Sequence, residues 1–168
     1  ADNLKQSDIK FPEPPEKIKL YNEEILNNRK KWGTLNVHDP SIYKTKGVYY
    51  VFSTDVRVGG KPKPGIQIRK SKDLINWEWV GHALKGIPSA AKEWTDATNL
   101  WAPDITKFGD KYFLYYVASK FGTNQSFIGV ANSDSPEGPW KNQGEVLKTE
   151  KGDIPNALDP NIVYDRKD

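Results

Sequence analysis

The chain has 168 residues, of which 36% are hydrophobic and 12% aromatic, and its formal net charge is +3. It contains no cysteine and two histidines, which excludes a disulfide framework, a thiol nucleophile and a multi-histidine metal site built from this chain alone. Its lysines and arginines are scattered, so no nucleic-acid partner is indicated, and no apolar run approaches the length of a membrane span.

Residues 1–36 are predicted to form an N-terminal arm, distinct from the body at 37–168. The segment Phe11–Pro15 contains three prolines, and because each proline disfavours helix in the residue before it, we expect an extended stretch there. A short helix is predicted over Tyr21–Lys31. No signal peptide is visible at the N-terminus, although a secreted chain from which the leader has been removed could begin in this way.

From Val37 onward the pattern predicts only short β-strands, and it repeats after about 63 residues. Each unit contains an Asp-Pro or Ala-Pro phrase, an aromatic strand, an isoleucine strand and a strand marked by tryptophan. The matching segments are Val48–Phe52 with Tyr112–Val117, Ile66–Arg69 with Ile128–Ala131, and Trp77 with Trp140.

Four-stranded units at this period favour the blades of a β-propeller over a sandwich, which would not repeat the same four parts. The fold class is therefore predicted to be all-β, with two complete blades and the start of a third. Because a propeller usually needs at least four blades to close, we expect further blades outside this chain.

The candidate catalytic residues lie in a phrase that occurs three times. Asp39 and Asp159 each precede Pro and stand three residues before an isoleucine, and Ala102 occupies the same position in the middle copy. Asp-Pro is a common way to begin a turn, and that explanation remains open for both residues. If inner strands carry these phrases, both carboxylates face one central cavity, and paired carboxylates are the usual apparatus of glycoside hydrolysis.

Neighbouring residues are candidates for substrate binding. Trp101 stands beside Ala102 and is placed to stack on a sugar, although a core position is the commoner fate of tryptophan. His38 adjoins Asp39, Asn156 precedes Asp159, and a predicted loop contributes two more candidates, Phe121 and Asn124. The loop also contains a glycosylation sequon beginning at Asn124, a pattern that often arises by chance. Asp104 aligns with Ser41 and is predicted to be a turn or cap residue.

Four phrases together resemble glycoside hydrolase family 43, and within it the endo-1,5-α-L-arabinanases. The likeness covers about Val37 to Tyr164 and rests on the segments 38–42, 99–105, 119–126 and 156–161. It implies a five-bladed propeller and an inverting mechanism. By this resemblance Asp39 matches the general base, Asp159 matches the residue that tunes the pKa of the acid, and cleft residues are matched by Trp101, Phe121 and Asn156.

The resemblance also implies parts that this chain does not supply. The general acid is a glutamate in a later blade, and the histidine that holds a calcium ion on the propeller axis in many members lies beyond Asp168. We therefore expect the remaining blades as partners, possibly as a second polypeptide produced by a break near Asp168, with arabinan or arabino-oligosaccharide as substrate and an extracellular location. Two alternatives stay open: a carbohydrate-binding propeller piece without catalysis, and a related arabinofuranosidase or xylosidase.

Overall fold

The computed structural model describes residues 23–56 and 63–165 of the chain. Within them, eight strands form two four-stranded antiparallel sheets in which each strand pairs with the next one in sequence. The first sheet contains β1 (Ser41–Thr45), β2 (Val48–Ser53), β3 (Gln67–Ser71) and β4 (Glu78–His82), and the second contains β5 (Leu100–Phe108), β6 (Lys111–Ala118), β7 (Phe127–Ser133) and β8 (Lys141–Lys148).

The all-β fold and the two four-stranded units are thus confirmed. The predicted aromatic strands correspond to β2 and β6, and the isoleucine strands to β3 and β7. Strand β3 begins one residue later than predicted, because Ile66 has a φ of 64° and so leaves the extended conformation. The tryptophan strands begin immediately after Trp77 and Trp140.

The repeat is also visible in the strand register. Ile42 pairs with Val51 in the first sheet and Ile105 pairs with Leu114 in the second, so both partners shift by 63 residues. Equivalent positions of the two sheets can therefore be compared directly, which is used below.

One hydrophobic core joins the two sheets. It includes Phe52 and Ile68 of the first sheet and Leu100 and Leu114 of the second, all at most 1% exposed. Phe52 meets Trp140 edge to face at 5.5 Å between ring centroids. Because a fully buried side chain of this size contributes roughly 1.5–3 kcal/mol, this shared core fixes one sheet against the other.

The described part of the arm lies against the first sheet. Helix α1 (Glu23–Asn27) and a 3-10 helix at residues 29–31 occupy most of the predicted helix, separated by Asn28. Trp32 is buried, packs edge to face on Trp79 of β4, and donates its indole hydrogen to the Ile25 carbonyl. The predicted extended stretch at residues 11–15 lies outside the described residues, as do the first two positions of the predicted helix.

Helix α2 (Ser89–Thr95) connects the two sheets and is absent from the sequence-based prediction. Its two alanines favour helix, and it ends at Asp96, which adopts the left-handed conformation with a φ of 52°. Trp94 of this helix donates a hydrogen bond to the Thr149 carbonyl at 3.1 Å, which ties the connector to the end of the second sheet.

Candidate active site

The repeated phrase has the same unusual backbone in all three copies. Asp39, Ala102 and Asp159 have φ angles of 47°, 38° and 53°, in the left-handed region that L-residues rarely adopt. For Asp the short polar side chain makes this conformation tolerable, but alanine has no such compensation. The conformation therefore belongs to the repeat itself, whether or not the position carries an acid. We call these three residues the slot residues.

The three slot residues line one open cavity of about 510 Å³. Six of the eight predicted site residues are brought together there, namely both aspartates with His38, Trp101, Ala102 and Phe121. The remaining lining residues are Asn36, Thr54, Asp55, Val56, Asn99, Val117 and Leu158.

Thr54 connects the first two slot residues and was missed by sequence reasoning. Its hydroxyl donates to Oδ2 of Asp39 at 2.6 Å and accepts from the backbone N–H of Ala102 at 2.8 Å. The hydroxyl thus orients the Asp39 carboxylate and anchors the second sheet to it. Its position directly after the aromatic strand β2 was a signal that could have identified it.

Two aromatic rings form one side of the cavity. Trp101 and Phe121 lie 4.9 Å apart between centroids with an interplanar angle of 42°, and Phe121 is 90% exposed. Beneath them Ala102, Val117 and Ile128 form a small buried apolar cluster. Exposed aromatic faces beside a cavity suit the stacking of sugar rings, whose carbon-bound hydrogens present an apolar surface.

Asp55 is a second residue that sequence reasoning missed. It is 2% exposed, and its Oδ2 accepts from the N–H groups of Gly65 at 2.8 Å and Leu100 at 2.9 Å. Its Oδ1 is buried without a hydrogen-bond partner and lies 4.0 Å from Nε2 of His82. Burial raises the pKa of Asp55 to about 7, although the two backbone donors act in the opposite direction. Burial likewise lowers the pKa of His82 to about 4.

The last two predicted site residues lie outside the cavity lining. Asn124 donates its side-chain N–H to the Asp153 carbonyl at 2.7 Å, and Asn156 accepts from the Ser126 hydroxyl at 2.5 Å. Both amides therefore brace the loop after β6 against residues 153–156. Ser126 of the predicted sequon is fully buried and also bonds Ser119, so the sequon is held inside the fold here.

Asp104 differs from its prediction. It lies inside strand β5 rather than at a turn or cap, and it accepts hydrogen bonds from Ser41 and Ile162. The alignment with Ser41 was correct, because both residues stand two positions after a slot residue. What the alignment could not show is that the two side chains bond to each other across the sheets.

Within residues 23–56 and 63–165, no group of three or more histidine, aspartate or glutamate side chains is arranged to hold a metal ion. The described donors therefore do not make a calcium site on their own. The same part of the chain has no helix long and apolar enough to span a membrane.

Residues 33–168 match the Glycosyl hydrolases family 43. The chain is 35% identical over 159 residues to an extracellular endo-alpha-(1->5)-L-arabinanase of Thermotoga petrophila, covering 78% of this chain and 32% of that protein. It is 37% identical over 139 residues to an extracellular exo-alpha-(1->5)-L-arabinofuranosidase of Cellvibrio japonicus, covering 78% and 38%. The structure matches Cellvibrio cellulosa alpha-L-arabinanase complexed with arabinohexaose with a TM-score of 0.70 at 35% identity, covering 79% and 42%.

The chain thus spans between 32% and 42% of the length of these three relatives. The match nevertheless covers nearly all of the chain after the arm, and it includes every residue that lines the cavity. On this evidence the chain belongs to glycosyl hydrolase family 43.

Proposed function

We propose that the complete protein is an extracellular, endo-acting hydrolase of α-1,5-L-arabinan that inverts the anomeric configuration. The observation that carries the proposal is the meeting of Asp39 and Asp159 in one open cavity, beside a wall of exposed aromatic rings. The family membership supports it, since the relatives include an extracellular arabinanase and a structure with bound arabinohexaose.

In this proposal Asp39 is the general base. The Thr54 hydroxyl bonds one of its two oxygens, so the other remains available to accept a proton from water. The water oxygen then bonds to the anomeric carbon while the bond to the leaving oxygen breaks, and a general acid protonates that oxygen. The acid is expected to be a glutamate outside this chain.

Asp159 has the role of tuning that acid. A carboxylate close to a carboxylic acid raises its pKa through like-charge repulsion, which keeps the acid protonated near neutral pH. Asp159 is exposed and belongs to the segment that follows the second sheet, at an equivalent position to the base. Two aspartates in equivalent positions would thus serve two different purposes.

The aromatic wall is proposed to bind the sugar chain, with Trp101 and Phe121 as the stacking platforms. Ala102 and Val117 keep the floor below them apolar and small, which leaves space for a furanose ring. His38 borders the cavity next to the base and is available for a hydrogen bond to the substrate.

The remaining expectations concern the whole protein. We propose a five-bladed propeller in which the two described sheets are the first two blades and residues 159–165 begin the third. Calcium, if held on the propeller axis as in other family members, would be bound by residues outside this chain, and no step above depends on it.

An exo-acting arabinofuranosidase is the second candidate, because one of the matched relatives has that activity. Product analysis separates the two: endo-cleavage of linear arabinan releases oligosaccharides first, and exo-cleavage releases monosaccharide from the start.

The base assignment is tested with Asp39→Ala in the complete protein. We expect kcat/KM on linear arabinan to fall at least about 10³-fold, since general-base catalysis contributes typically 10²–10⁴-fold. Asp134→Ala removes an exposed acid on the second sheet and is the matched control. Near-normal turnover by the Asp39 variant would overturn the base assignment, and binding of arabino-oligosaccharide by the wild type without cleavage would favour a non-catalytic module.

A further inference from the structure

Three chain segments that carry the slot residues are joined by one side chain. Oδ1 of Asp104 accepts from the Ser41 hydroxyl at 2.7 Å, and Oδ2 accepts from the backbone N–H of Ile162 at 2.8 Å. The Ser41 hydroxyl in turn accepts from the N–H of Ile105 at 3.1 Å. Asp104 therefore spans from the first sheet to the segment after the second.

These bonds are made very close to the two carboxylates of the cavity. Ser41 stands two residues after Asp39, and Ile162 stands three residues after Asp159. Among the described residues, Asp104 is the one side chain with hydrogen bonds to both of these segments. A shift of Asp104 would thus be transmitted to both aspartates through only two or three residues of backbone.

The chemistry of the group suits this task. An ionised carboxylate is a pure acceptor with two oxygens, so it can bind a hydroxyl and a backbone N–H at the same time. Hydrogen bonds to a charged acceptor are also stronger than neutral ones. Asp104 is half-buried within β5, between two core residues, Pro103 and Ile105, which hold its backbone in place.

We propose that Asp104 is a positioning residue that fixes the placement of Asp159 relative to Asp39 and so couples the acid and base halves of the reaction. The inference rests on the proposed function and deepens it. Asp104 does not line the cavity and is not assigned any contact with substrate. Its effect on the reaction would act through the two segments that it joins.

A merely structural tie would stabilise the fold without affecting the chemical step, and the two roles predict different results. Misplacing Asp159 weakens its repulsion on the general acid and lowers the pKa of that acid. The basic limb of the pH-activity profile should then move to lower pH, a change that lost stability alone does not produce.

The experiment compares Asp104→Ala, Asp104→Asn and the control Asp134→Ala in the complete protein, with kcat and KM measured separately on linear arabinan. For Asp104→Ala we expect kcat to fall about 100-fold with KM changed less than about threefold, because a misplacement of about 1 Å can cost that much. The amide of Asp104→Asn can accept from Ile162 and donate to Ser41, so this variant should recover most of the activity.

Ser41→Ala provides a second variant in case Asp104→Ala does not fold, and Ser41→Thr is its matched control. Ser41→Ala should lower kcat and move the basic limb in the same direction, whereas Ser41→Thr keeps the hydroxyl and should not. The inference is wrong if Asp104→Ala and Ser41→Ala are folded and have wild-type kcat and pH profiles.

A crystal structure of Asp104→Ala separates this inference from the proposed function. An increase of about 0.5 Å or more in the distance between the Asp39 and Asp159 carboxyl carbons would support the positioning role, and an unchanged distance would overturn it. If the wild type does not cleave arabinan, the proposed function fails, and this distance still decides whether Asp104 positions the two aspartates.

Discussion

The two sheets have the same backbone pattern but different chemistry at the cavity. In the first sheet the slot residue Asp39 is bonded by Thr54, while the equivalent pair in the second sheet is Ala102 with Val117. Both slot residues keep a positive φ angle. The repeat therefore preserves the shape of the site and changes its side chains, so that one sheet provides a proton acceptor and the other an apolar floor.

A second contrast lies just behind the cavity. Asp55 of the first sheet corresponds to Ala118 of the second, 63 residues later, so only the first sheet buries an acid there. Ser53 and Gln67 of the first sheet correspond to Tyr116 and Gly129 of the second, where a large and a small residue replace two of intermediate size. Each contrast can be removed by substitution.

The largest effect is expected from Asp55→Asn, as a change in how stability depends on pH. The folded-state pKa of Asp55, about 7, lies above the ordinary value of 3.8, so the folded state binds more protons between these limits. The free energy of unfolding of the wild type should therefore fall as pH rises from about 4 to about 7, relative to the variant, by up to about 1.4 kcal/mol per pH unit. Urea unfolding across this range measures the difference.

His82→Gln is the complementary variant. Because the folded-state pKa of His82, about 4, lies below its ordinary value of 6.5, neutral His82 contributes stability that is lost as pH falls from about 6.5 to about 4. In the wild type the two contributions oppose each other in this window. Removing His82 should make the fall in stability with rising pH steeper, and parallel curves for both variants and the wild type would contradict the assignment.

Gly129→Ala tests the exchange of a large for a small residue in the second sheet. A Cβ at Gly129 would lie 2.3 Å from ring atoms of Tyr116, whose hydroxyl is held by Asn142 at 2.6 Å. We expect a loss of about 2–3 kcal/mol in the free energy of unfolding, measured by urea denaturation. Adding Tyr116→Ser to this variant should restore part of that loss, and purely additive effects would show that the two residues do not compete for space.

Thr54→Val makes the first sheet resemble the second at the cavity. It removes the hydrogen bond to Asp39 and leaves the N–H of Ala102 without its acceptor. Since a hydrogen bond to a charged group is worth about 1.5–3 kcal/mol, kcat/KM on linear arabinan should fall about 10- to 100-fold. Thr54→Ser retains the hydroxyl and is the control; equal rates for the two variants would show that the hydroxyl does not orient the base.

The smallest effect is expected at Ala102, where the positive φ angle of 38° strains an alanine. Glycine removes that strain but loses more entropy on folding, so Ala102→Gly should change the free energy of unfolding by less than about 1 kcal/mol. Thermal unfolding of the two proteins measures this. A loss much larger than that would mean that the Ala102 methyl group packs in the apolar floor more tightly than the backbone strain costs.

The sequence by itself determined the repeat. Alternating and aromatic runs specify strands such as β2 and β6, and the Pro that follows each slot residue fixes the local backbone. Because these signals are local and recur after 63 residues, they predicted the four-stranded units, the equivalence of Asp39 with Asp159, and the position of Trp101 next to both.

Only the tertiary structure decided which side chains serve that site. Thr54, Asp55 and Asp104 carry no local signature, since their partners lie 48, 45 and 63 residues away in Ala102, Leu100 and Ser41. The burial that shifts the pKa of Asp55 likewise comes from packing between sheets. Hydrogen bonds and desolvation depend on where distant segments meet, and that information is absent from the pattern within any one segment.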